Sequence, residues 1–185
     1  AIFGQNTSKD AWDANGDGFT ELSKISGQTV GFRGYVKTGL YSKITAEYHH
    51  LEEFRRGGDN IDLPPHEAMI AEQTGHGINT GGLKFDWFSK DQKHRLNVFA
   101  SLQHISRDSY YGAGMDPNAY GKTTDLTWVG GAQYVFKAGR FLFMPSDLTV
   151  GLEYNEDYLR DNMWGYDRIT DQTVRIASAY AQNEW

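Results

Sequence analysis

Cysteine is absent from the 185 residues. That excludes disulfide frameworks, thiolate zinc sites and cysteine nucleophiles together. A basic excess is also missing: 18 Lys and Arg stand against 24 Asp and Glu, for a net charge of -6. Such a balance argues against a phosphate-binding surface, and nucleic acid is not an expected partner. No run of 18 apolar residues exists that would mark a membrane helix. The mean hydropathy of -0.61 reads as soluble, yet a membrane β-barrel alternates lipid-facing and lumen-facing side chains and averages to a polar value. Catalytic signatures are lacking as well. There is no Gly-x-Ser-x-Gly elbow and no phosphate loop, and Gly112 and Gly114 supply only part of a nucleotide fingerprint without a βαβ setting. No enzyme activity is expected.

What the chain does have is alternation with a period of two. Leu148, Val150, Leu152 and Tyr154 alternate with Thr149, Gly151 and Glu153, which places apolar and polar side chains on opposite faces of a strand. The same pattern recurs at Val30, Phe32 and Val36; at Ile44, Ala46 and Tyr48; and at Leu83, Phe85 and Trp87. It continues at Leu96, Val98, Ala100 and Leu102; at Leu126, Trp128, Ala132, Tyr134 and Phe136; and at Val174, Ile176 and Tyr180. About seven strands are expected. Helical spacing competes weakly, because glycines fall inside most segments. The stretch from Pro64, PPHEAMIAEQTGHGI, reads as a loop returning into a strand.

The connections alternate in length. Short ones at 38–42 and 89–94 are interleaved with long ones at 52–67, 107–123 and 155–171, and 137–147 is intermediate. In an up-and-down sheet alternate connections lie at opposite ends, so one end carries tight turns and the other elaborate loops, as in outer-membrane barrels. The strands look longer than the 5 to 6 residues usual in soluble sheets, and nearer the roughly 9 to 11 that cross a bilayer. Tyr35, Tyr41, Tyr48, Trp87, Tyr134, Tyr154, Tyr180 and Trp185 lie toward strand ends, as an aromatic girdle would. Aromatic residues also favour strands in any sheet. The fold class expected is all-β: an antiparallel up-and-down meander forming a segment of a transmembrane barrel. The sequence opens at Ala1 without a leader and stops within a strand-like pattern, so 1–185 is read as a fragment of a longer chain.

The segment DANGDGFTEL, 13–22, matches the first half of a calcium loop. Asp13, Asn15 and Asp17 stand at alternate positions, Gly18 allows the sharp turn, and Phe19 offers its carbonyl. Lys24 occupies the place of the closing bidentate Glu, leaving Glu21 to reach in. The alternative is a glycine-rich loop held by Asx turns. Arg55 and Arg56, before Gly57, Gly58 and Asp59, read either as an anion contact or as pairing with Glu52, Glu53 or Asp59 within the loop. Tyr110, Tyr111, Tyr120, Trp164 and Tyr166 are ligand-contact candidates on long loops, or else pack loop on loop. His49 and His50 are adjacent on a strand and face opposite sides, so a shared metal is not expected.

Three stretches, YHHLEEFRRGGDNIDLPPHEAMIAEQTGHGINTGGLKFDWFSKD, SYYGAGMDPNAYGKT and LFMPSDLTVGLEYNEDYLRD, resemble the barrel domain of Bacteroidetes-type TonB-dependent outer-membrane receptors. The likeness covers nearly the whole chain. It implies a barrel of about 22 strands holding a plug domain, a TonB box that couples import to the proton gradient, and residence in the outer membrane of a Gram-negative cell. The partners it implies are lipid, TonB through the missing plug, and a scarce small-molecule nutrient such as a ferric siderophore, haem or cobalamin. Some cobalamin-type receptors hold Ca2+ with loop aspartates, which favours the calcium reading of Asp13, Asn15 and Asp17. This chain departs from the pattern in lacking the plug, the TonB box and most of the strands. The alternative is a secreted soluble β-domain that binds calcium or glycan through aromatic loops, and that reading requires a closed core.

Overall fold

A computed structural model describes residues 1–141 and 143–185. Eight strands run in chain order: β1 (Ile2–Lys9), β2 (Lys24–Gly39), β3 (Ser42–Gly58), β4 (Ile70–Phe88), β5 (His94–Ala113), β6 (Tyr120–Phe141), β7 (Met144–Met163) and β8 (Arg168–Glu184). They form one sheet in sequential order with every neighbour antiparallel. The protein is therefore an all-β, up-and-down meander, and β1 and β8 are its two edges. Single 3-10 turns at Pro65–Glu67 and Trp164–Tyr166 are the helical pieces among the described residues. The Pro64 stretch does return from a loop into a strand.

The eighth strand beyond the expected seven is β1. Its sequence IFGQNTSK turns polar on both faces after Phe3, so no alternation announces it. Pairing recruits it instead, from Ile2 opposite Phe32 to Lys9 opposite Ile25. The other strands are longer than the alternation reaches, with 20 residues in β5 and 22 in β6. EEFRRGG, RDSYYGA and NEDYLRDNM, expected in loops, are paired strand ends. The true loops at the elaborate end are 10–23, 59–69, 114–119 and 164–167, and the opposite end has turns at 40–41 and 89–93. The connection expected over 137–147 contains Leu142, which lies outside the described residues.

Register shows what each face carries. One row across the sheet reads Val36, Ile44, Phe85, Val98, Ala132 and Leu152. Nearer the loops, a parallel row on that face reads Gln28, Glu52, Gly77, Ser106, Thr124 and Arg160. The apolar character is thus a band on one face, confined to the half nearer the short turns. The opposite face at mid-height is polar, with His49, Thr80, Gln103, Thr127 and Asp157 in one row. On β8 the pattern inverts. Val174, Ile176 and Tyr180 fall on the polar side, and Ala177, Ala179 and Ala181 continue the apolar face.

Nothing among the described residues covers the band: Leu83 is 60% and Leu152 65% exposed. The total accessible surface is 12327 Å², whereas a compact chain of this mass exposes about 9,000 Å². The few buried apolar residues, Ala68, Ala71, Tyr110, Ala119 and Met163, all sit at the loop end. A closed core between layers, which the soluble alternative requires, is not what these strands build.

Candidate functional site

The loop end is a connected ledge. In the 13–22 segment most acceptors are aimed at the backbone, and Asp17 Oδ2 accepts instead from the Asn15 side-chain amide at 3.0 Å. Asp13 accepts from the Gly16 amide at 2.7 Å and the Gly18 amide at 2.8 Å, Asn15 Oδ1 from Asp17 N–H at 3.0 Å, and Asp17 Oδ1 from Phe19 N–H at 2.8 Å. These are the Asx turns that compete with a cation for the same oxygens. Gly16 and Gly18, at φ +75° and +87°, supply the left-handed backbone the turns require. Donation from the Gly18 amide holds the Asp13 carboxyl below its ordinary value. Glu21 reaches back to the Ala14 amide at 2.7 Å and closes the loop.

All five candidate calcium residues, Asp13, Asn15, Asp17, Phe19 and Glu21, therefore belong to one turn. Their donors are hard oxygens of the kind calcium takes, and each oxygen bonded to one amide keeps a second lone pair. Among the described residues, no group of three or more Asp, Glu, His or Cys side chains converges on a point where a metal could sit. A cation here would need Asn15 and the Phe19 carbonyl as well as the carboxylates.

The turn is tied to its neighbour. Phe19 bridges Asp59, and Thr20 and Gly58 exchange bonds in both directions at 3.0 Å. Gly58 has φ +108°, and its missing Cβ leaves room for the Ile70 carbonyl. Asp59 then accepts from the Ile70 amide at 2.8 Å and the Met69 amide at 3.1 Å. Those amides, Ile70 first, keep its carboxyl below the ordinary value.

Arg55 and Arg56 part company at this ledge. Arg55 points to one face and donates to Glu53 at 2.8 Å, the local pairing that was one of its two readings. Arg56 points to the other face and is 2% exposed. Its guanidinium donates to the carbonyls of Gly57, Asp59 and Asn60. Beside it, Tyr110 is fully buried, donates to the Asp116 carbonyl at 2.9 Å, and meets the Tyr120 ring edge-on at 4.9 Å. Tyr120 shares a hydrogen bond of 2.7 Å with His66 Nδ1. Arg56, Tyr110 and Tyr120 are thus the interior of the ledge. Trp164 and Tyr166 are open to solvent at 55% and 63%, and the Tyr166 hydroxyl donates to the Tyr111 carbonyl at 3.4 Å. Of the loop candidates, Trp164 and Tyr166 share one exposed turn, and Tyr166 ties that turn to the backbone of half-buried Tyr111.

His49 and His50 do face opposite sides: His49 lies against Phe3 with ring centroids 5.1 Å apart, and His50 bonds Asn79. A cluster on the polar face escaped the sequence reading. Asp161, 8% exposed, accepts from Thr123 at 2.6 Å and Arg168 at 3.0 Å, with Arg107 at 3.6 Å. It gathers residues from four strands, and no local pattern joins them. Asp59 carries a local sign that was not used, since Gly-Gly-Asp-Asn is a turn signature in which an Asp side chain captures nearby amides. Matched against models of protein families, against curated proteins and against solved structures, the chain finds no counterpart.

Proposed function

We propose that this chain is part of the barrel domain of an outer-membrane receptor that imports a scarce nutrient with energy delivered through TonB. The observation that carries the proposal is the bounded apolar band. On β6 it runs from Leu126 to Phe136. At about 3.4 Å per residue that is roughly 34 Å along the strand, or about 24 Å along a membrane normal for a strand tilted near 45°, which matches the apolar belt of such barrels. Tyr48, Trp128 and Tyr154 lie within the band toward its loop side, and Trp87, Tyr134 and Phe136 toward its turn side. Lipid would cover this face, and the polar face would line a lumen that a plug domain fills.

In this reading the ledge is the extracellular mouth. Tyr111, Trp164 and Tyr166 offer aromatic surface to a nutrient such as a ferric siderophore, haem or cobalamin, and the identity of that nutrient rests on the resemblance described above. Calcium, held by the side chains of Asp13, Asn15, Asp17 and Glu21 and the carbonyl of Phe19, would stiffen the 13–22 turn. Through Thr20 and Gly58 that stiffness would pass to the 59–69 loop.

The test is physical state first and ligand second. The chain should fold as a β-sheet in detergent or lipid and associate without them. A compact, monodisperse monomer in plain buffer would overturn the membrane reading. In detergent, quenching of tryptophan fluorescence by cobalamin, haem or a ferric chelate should weaken in Trp164→Ala. Calorimetry should report calcium binding that Asp13→Ala abolishes.

A further inference from the structure

We propose that the turn end of the polar face is a docking groove for an acidic, extended polypeptide segment. Charge is strongly segregated along this molecule. The three stretches 35–45, 84–97 and 135–149, which contain the two short connections and the intermediate one, hold 8 Lys and Arg against 3 Asp, and the rest of the chain holds 10 against 21. A protein of net charge -6 thus presents one positive end.

The positive side chains are gathered rather than scattered. A cavity of about 380 Å³ opens among Lys37, Lys43, Arg95 and Lys137, with Leu40 and Phe88 on its walls. By register these four cations lie on the polar face, opposite Val36, Ile44, Phe85 and Trp87. The acidic residues nearby are largely spoken for. Asp86 accepts from Asn97 at 2.9 Å and faces Lys84 at 3.3 Å and Lys43 at 3.7 Å. Asp91 accepts from Ser89 and from the Lys93 amide in its own turn. Asp147 stands opposite Lys137 across β6 and β7, with no ion pair formed among the described residues. Arg95 lies over the Phe88 ring at 5.0 Å. Lys37, Arg95 and Lys137 therefore have charge to share with a visitor.

Size and face decide what that visitor is. From β2 to β6 the cations cross four strand spacings, about 19 Å. A single phosphate is far too small to meet them all, whereas an extended peptide of about six residues covers that span. Anionic lipid would reach the apolar face, and these side chains are on the other one. The walls of Leu40 and Phe88 accept an apolar residue among the acidic ones, so the segment is acidic with an apolar anchor.

The probe is a fluorescein-labelled decapeptide of Asp and Glu with one Leu and one Trp, titrated by anisotropy into the detergent-folded chain. Binding should weaken on raising salt from about 0.05 M to 0.15 M. It should weaken about tenfold in the double variant Lys37→Glu with Lys137→Glu, and also in Arg95→Gln. Lys122→Glu, at the loop end, should leave it unchanged, and far-UV circular dichroism should report all three variants folded. Absence of peptide binding at low salt overturns the proposal. So does an equal loss in Lys122→Glu, which would mean undirected charge attraction. Phosphatidylglycerol vesicles that bind with the same dependence on Lys37 and Lys137, when the peptide does not, would reassign the groove to lipid headgroups.

Discussion

Asp13 and Arg56 show how differently single residues announce themselves. Asp13, Asn15 and Asp17 at alternate positions around two glycines are readable as a tight oxygen-rich turn, and that is how they fold. Because the folded state holds the Asp13 carboxyl below its ordinary value, that carboxylate stabilises the turn above a pH of about 4. The contribution is lost as pH falls through the depressed value. The Gly16 and Gly18 amides should therefore titrate together in an NMR pH series, and Asp13→Asn should flatten that response. Arg56 gave no comparable sign. Period two says that adjacent arginines face opposite ways, but not which one a returning loop will cover. Truncation to Ala strands the carbonyls of Gly57, Asp59 and Asn60, and should cost roughly 3 kcal/mol in denaturant melts. Arg55→Ala, which removes an exposed pair with Glu53, should cost less than about 1 kcal/mol.

Strands were legible where one face is apolar and illegible elsewhere. Alternation is a contrast signal, so it located the banded halves of β2 to β7 and missed β1 and the polar strand ends. It also cannot say which face an alternating set occupies. On β8 the pairing of Tyr154 with Ala177 sets that choice and turns Tyr180 toward the polar side, where its ring lies over Gly151 and fills the space a Cβ would take. Phe99 over Gly131 and Phe3 over Gly31 repeat the device on the same face, and such pairs pin register between strands. The banded face makes a direct demand. On the membrane reading proposed above, Leu83→Arg, at its centre, should destabilise the chain folded in a bilayer by about 2 to 4 kcal/mol. Thr80→Arg, three residues away on the polar face, should be close to neutral by the same urea titration.

At the scale of the molecule, the meander and its two unlike ends were visible in the rhythm of the connections, but the depth of the loops was not. Segments that read as long loops climb as paired backbone beyond the band, because polar side chains on both faces leave hydrogen bonding as the only cue. The same asymmetry predicts dynamics. Amide exchange should be slowest in the middle strands β4 to β6 and fastest along β8, with protection rising where detergent covers the band. Edge geometry carries a different consequence. β1 pairs with only part of β2, leaving the backbone of 34–39 without a neighbour on that side, and β8 has none along its outer rim. Two unsatisfied ladders at opposite sides of one sheet make the chain a template for copies of itself. For such a sheet shelf life is a matter of concentration, with polymerisation as the competing reaction.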